Sequence, residues 1–216
     1  MPYSLIDPIR RFQIKTAKLH IKADSILSEK STLPYWKFRY LSEGLMLETW
    51  QSWNSFCRIS IINSCLGCLC TDGIQITART GDNSWQRIGF IFKSKTIAKG
   101  LLKSSHNEPT WGDIDKLIAA ASNLKTVNEL ALLSAFGLPT LNESAKHMQT
   151  VRNCIAHKNP ETINNVKKLY LYYSVPSGDM RPHELIWQDN ASGEIAYFSW
   201  LADLRQMAVL SGLSVP

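Results

Sequence analysis

Arg152, Asn153 and His157 are the residues of this 216-residue chain whose types and spacing bear most directly on chemistry. They lie in the stretch Val151-Arg152-Asn153-Cys154-Ile155-Ala156-His157-Lys158-Asn159, between a helix-start signal at Thr140 and Pro160. Arginine is a permanent cation that must meet an anion, reach solvent in a cleft or sit at an interface. Histidine, with an ordinary pKa near 6.5, exchanges a proton near neutral pH.

Helical periodicity places Leu141, Ala145, Met148, Val151 and Ile155 on one face, with Arg152 close to the middle of it. Asn153 and His157, four apart, are neighbours on one flank. Arg152 and His157, five apart, point roughly 140° away from each other on a regular helix. Two resolutions stay open: the last turn unwinds before Pro160, or a second copy of the chain helps the groups converge. The bland alternative pairs Arg152 with a buried carboxylate or a helix end and lets His157 simply terminate a helix.

An arginine, a polar residue, a few residues and then a histidine is also a motif. Arg152-Asn153-Cys154-Ile155-Ala156-His157 resembles the signature of the HEPN superfamily, and the resemblance is confined mostly to residues 140–173. It implies a mainly α, HEPN-like helical bundle and, for an intact motif, a metal-independent endoribonuclease. In that reading His157 assists proton transfer from a ribose 2′-hydroxyl, Arg152 holds the phosphate, and Asn153 orients the imidazole or hydrogen-bonds the phosphate. The resemblance also implies a homodimer with Arg152, Asn153 and His157 in a two-fold cleft, RNA as substrate, and a toxin–antitoxin or antiviral defence setting with an antitoxin-like partner protein. Other members are non-catalytic adaptors or RNA-binding regulators, and that is the alternative function.

The elements that must position the motif are helical. Asp7-Pro8 predicts a first helix from about Pro8 to Glu29, apolar at Ile9, Phe12, Leu19, Ala23 and Ile26 and basic at Arg10, Arg11, Lys15, Lys18 and Lys22. A second helix, about 35–63, carries one stripe of Trp36, Tyr40, Leu47, Trp50 and Phe56, flanked by Phe38, Leu41, Leu45 and Trp53. Aromatics at helical spacing among leucines read as core before they read as base-stacking groups. Hydroxyls followed three residues later by a carboxylate, at Thr110…Asp113, Thr126…Glu129 and Thr140…Glu143, predict three further starts. Asn159-Pro160 predicts another, continued through Ile163, Val166, Tyr170 and Tyr173, and a last helix is expected over about 194–210.

Between them, Thr71-Asp72-Gly73 and Gly81-Asp82-Asn83 predict a short β or loop insertion over about 71–84. Trp85 to Leu102 reads as helical in its second half, before a loop at Ser104-Ser105-His106-Asn107. Pro176-Ser177-Gly178-Asp179 predicts a loop, residues 183–188 a short strand, and Asn190 to Gly193 a turn. These elements describe one domain over 1–216, with an insertion at about 64–108 and a C-terminal extension at about 174–216.

Lys and Arg exceed Asp and Glu by 24 − 18 = 6, which favours a polyanionic partner, and the 44% hydrophobic share suggests surface buried against another chain. No phosphate-binding glycine loop, Gly-x-Ser-x-Gly, zinc-hydrolase histidine pair or acidic two-metal cluster is recognisable, so no cofactor or metal is expected. Five cysteines, with Cys65, Cys68 and Cys70 in apolar surroundings, read as reduced, buried thiols. With neither a signal peptide nor an apolar run approaching a membrane span, the expectation is a soluble, cytoplasmic protein.

Overall fold

A computed structural model of the chain describes residues 3–77, 110–124, 128–175 and 180–215. The architecture is mainly α. In chain order the described elements are β1 (Tyr3–Ser4), α1 (Ile6–Ser28), α2 (Tyr35–Leu66), β2 (Cys68–Leu69), α3 (Ile114–Leu124), α4 (Glu129–Gly137), α5 (Pro139–His157), α6 (Pro160–Lys168) with a 3-10 turn at Leu169–Leu171, α7 (Pro182–Leu185) and α8 (Ala196–Leu210).

The core is built by α1, α2, α5 and α8. The apolar face predicted for α1 is buried at Ile9, Phe12, Leu19, Ala23 and Ile26. Phe12 stacks on Phe56 at 4.9 Å while Lys15 and Lys22 both reach Glu48, so α1 and α2 run antiparallel. Helix α8 is tied to α1 by paired bonds between Gln13 and Arg205, to α2 by Thr49 and Tyr197, and to α5 by Ser144 and Asp203. Helices α3 and α4 close one end, where Trp53 packs on Phe136 and Asn128 bonds Ser64. At the other end the short α7 brings His183 against Tyr35 and Phe38.

Several boundaries depart from expectation for identifiable reasons. Helix α1 begins at Ile6, before Asp7-Pro8, because Ser4 Oγ accepts from the Ile6 N–H at 3.0 Å. Helix α5 begins at Pro139, with Leu138 at its N-cap and no side-chain cap, so Thr140 lies inside the first turn. Proline at the first position supplies the helical φ and lacks the donor a cap would satisfy. Asp113, not Thr110, caps α3, its carboxylate accepting from the Lys116 N–H at 3.3 Å. Residues 183–188 are not a strand: Pro182 opens α7, and Glu184 folds back to accept from the Arg181 N–H at 2.9 Å. The predicted stripe on α2 is also rotated, since Trp36, Tyr40 and Leu47 are exposed while Phe38, Leu45, Trp50, Trp53 and Phe56 are buried.

The Thr71-Asp72-Gly73 turn is present, with Gly73 at φ 82° and Cys70 and Ile74 joined by a backbone bond. Asp72 also accepts from the backbone and hydroxyl of Ser214, fastening the C-terminal segment to this turn. All five cysteines are buried and none is in a disulfide, and burial pushes the Cys68 and Cys70 thiols up to about 12 and about 11. No helix among the described residues is long and apolar enough to cross a membrane. The readings at 78–84, Trp85 to Leu102, Ser104 to Asn107, Thr126 and Pro176 to Asp179 lie outside the described residues.

Candidate functional site

Helix α5 holds the motif, and its predicted apolar face is the one it buries: Leu141, Ala145, Met148, Val151 and Ile155 are all in the core. The helix remains regular through His157. Its end is set by Lys158, a left-handed residue at φ 43° whose N–H bonds the Cys154 carbonyl. Asn159 then caps α6, accepting from the Thr162 N–H at 2.9 Å while Thr162 Oγ1 accepts from the Asn159 N–H. The corner therefore costs one left-handed residue and no unwound turn, which removes the first of the two routes to convergence within one chain.

Arg152 is half-buried on the border of the core. Its guanidinium carbon stands 5.8 Å from the centre of the Trp50 ring, within cation–π range, and Nη1 donates to Asn153 Oδ1 at 2.9 Å. Among the described residues its buried Nε has no partner and no carboxylate pairs with the guanidinium. His157 is exposed in the last turn. The structure thus places Arg152 and Asn153 side by side and leaves His157 facing solvent, about 140° further round the helix.

The neighbouring surface carries charge and aromatic area that sequence reasoning left out of the site. Glu43 on α2 bonds Arg39 at 2.9 Å and lies 3.5 Å from Lys158, so the residue after His157 is tethered to α2. Arg152 meets Trp50 and Lys158 meets Glu43, so α5 crosses α2 in the antiparallel sense. On α2 the exposed Trp36, Tyr40 and Leu47 recur beside Glu43 on the same helix. The signal in sequence was present as the aromatic stripe; its exposure was not legible because both faces of α2 are rich in apolar residues.

A second polar grouping on α5 was also not anticipated. His147 Nδ1 lies 2.7 Å from Tyr173 Oη, which accepts from Trp200 Nε1 at 2.7 Å, in a cleft of about 290 Å³ shared with Ser144 and Asp203. Burial holds the His147 imidazole below its ordinary pKa, Glu143 opposing weakly, and pushes the Asp203 carboxyl up against the opposing Ser144 bond. A lone histidine and tyrosine 26 residues apart give no spacing pattern from which to find this network. Among the described residues no group of three or more His, Cys, Asp or Glu is placed to hold a metal.

Compared with known proteins, the chain matches no family model, no curated protein and no solved structure.

Proposed function

We propose that the chain is an endoribonuclease of the HEPN type that cleaves RNA by attack of the neighbouring 2′-hydroxyl. The observation that carries this reading is a half-buried guanidinium with no carboxylate partner among the described residues, held by Asn153 one turn before an exposed histidine. A structural arginine in such a place is normally neutralised by a carboxylate. Arg152 is instead supplied with orientation and left with its charge, as a phosphate-binding group requires.

The reaction assigns each residue one task. His157 takes the proton from the 2′-oxygen, which attacks phosphorus; the P–O5′ bond breaks and the 5′-oxygen leaves with a proton supplied by solvent water. Arg152 stabilises the charge that builds on the nonbridging oxygens, and Asn153 fixes the guanidinium. Because one regular helix separates Arg152 from His157, the working site combines Arg152 of one copy with His157 of another in a homodimer. The exposed Trp36, Tyr40 and Leu47 offer apolar area for that contact beside the motif. A role as a toxin or antiviral effector, restrained by an antitoxin-like partner, extends the same reading.

The alternative is a non-catalytic helical adaptor or RNA-binding regulator. It is favoured by the engagement of Arg152 on Trp50 and of Lys158 on Glu43, which lets both cations stabilise the α2–α5 contact. Purified protein and its His157→Ala variant incubated with a structured RNA separate the two. A ribonuclease cuts only as wild type; equal cutting by both, or cutting by neither, leaves the adaptor.

A further inference from the structure

Trp50 is the anomaly among the buried indoles. Trp53 gives its N–H to the Gly112 carbonyl at 3.2 Å, Trp187 to Ser42 Oγ at 2.9 Å and Trp200 to Tyr173 Oη at 2.7 Å. Trp50 is 2% exposed and its Nε1–H has no acceptor among the described residues. Arg152 Nε, on the guanidinium that covers the Trp50 ring, is the other buried side-chain nitrogen without a partner among the described residues. Buried donors are nearly always satisfied, because leaving one unmade forfeits its hydration.

Both groups are donors only. A ligand they share is therefore an acceptor, and the guanidinium makes an anion the favoured one. Asn153 engages Arg152 through Nη1, which leaves the Nε–H uncommitted, and access to both donors requires the rest of this long side chain to rotate off the indole. The indole itself cannot retreat: a methyl group on Gly112 would stand 2.9 Å from its Cη2 and Cζ2. Ser60 Oγ is also buried without a partner among the described residues, but a hydroxyl accepts as well as donates.

We propose that Trp50 Nε1–H and Arg152 Nε–H together bind a nonbridging oxygen of an RNA phosphodiester, which makes Trp50 a phosphate-binding residue. This rests on the reading of Arg152 as the group that holds phosphate. It adds a residue from α2, about 100 positions upstream of the motif, that the motif itself does not contain.

The test is a titration of protein carrying ¹⁵N-labelled tryptophan with a short 2′-O-methyl oligoribonucleotide, which binds without being cut, and in parallel with inorganic phosphate. Trp50→Phe assigns the Trp50 indole signal while keeping a ring in the core. The expected result is a saturable downfield shift of the Trp50 indole proton at lower oligonucleotide than phosphate concentration. The signals of Trp53, Trp187 and Trp200 should stay in place. Arg152→Gln should remove the shift, and Trp50→Phe should weaken oligonucleotide binding about tenfold.

Oligonucleotide binding that moves other signals and leaves Trp50 in place overturns the proposal, as does the absence of any shift with either ligand. If Trp50→Phe fails to fold, the wild-type titration with Arg152→Gln as its control decides alone. The ribonuclease reading is judged separately. Cutting of unmodified RNA with a silent Trp50 keeps that reading without this site, and a responsive Trp50 without cutting keeps this site without that reading.

Discussion

Arg152 and His157 divide the two requirements of the proposed reaction, fixed positive charge and an exchangeable proton, between a half-buried and an exposed position on one helix. His157→Ala should reduce RNA cleavage by at least about 100-fold, the range of a lost general acid or base, and leave stability within about 0.5 kcal/mol because the ring is exposed. Cleavage assays and a thermal melt on the same preparation check both halves. Arg152→Ala should also abolish cleavage without unfolding the chain, which circular dichroism and a melt of that variant check. The chemistry predicts its own products: a 2′,3′-cyclic phosphate or its hydrolysed form, and a free 5′-hydroxyl. A single deoxynucleotide at the cleaved position should block the reaction, since it lacks the attacking oxygen.

Helix α5 is positioned by devices that differ in how openly the sequence announces them. Asn159-Pro160 was legible because a capping residue before proline has few other readings, and the α5 core face was legible because its period is regular. Helix α2 was legible in extent but not in rotation, since apolar residues on most of its surface give no preferred direction; only packing against α1, α5 and α8 decides that Trp50 goes in and Trp36 stays out. Lys158 carried no signal, because a left-handed lysine is chosen by the corner and not by its own propensity. The Trp50–Gly112 contact was equally silent. It makes a specific demand: Gly112→Ala places a methyl group against two rigid, buried indoles, and should destabilise the chain by about 1–3 kcal/mol, a fall in Tm of several degrees. Scanning calorimetry of that variant, beside Gly44→Ala on the open side of α2 as control, checks it.

For the whole molecule the fold class was readable from helix-start chemistry and periodicity, whereas assembly depends on surfaces that one chain does not complete. A homodimer should scatter light at twice the chain mass, and a persistent monomer at tens of micromolar removes the shared-site arrangement. Stability should also respond to pH through His147, whose folded pKa lies below its unfolded value. The unfolded chain then binds more protons, so this contribution is present above about pH 6.5 and is lost as pH falls through the folded pKa. Melting temperatures should drop more for wild type than for His147→Gln between pH 7.5 and about 5.5; equal slopes would mean that His147 is not held neutral.

The proposed cooperation of Arg152 and His157 from different copies of the chain can be read out by mixing two inactive proteins. Arg152→Ala and His157→Ala preparations, each inactive alone, are unfolded, mixed in equal amounts and refolded together. Random pairing makes half the dimers mixed, each with one intact site, so about a quarter of wild-type cleavage should return. A mixture as inactive as its parts, beside a wild-type control that cuts RNA after the same treatment, would contradict it.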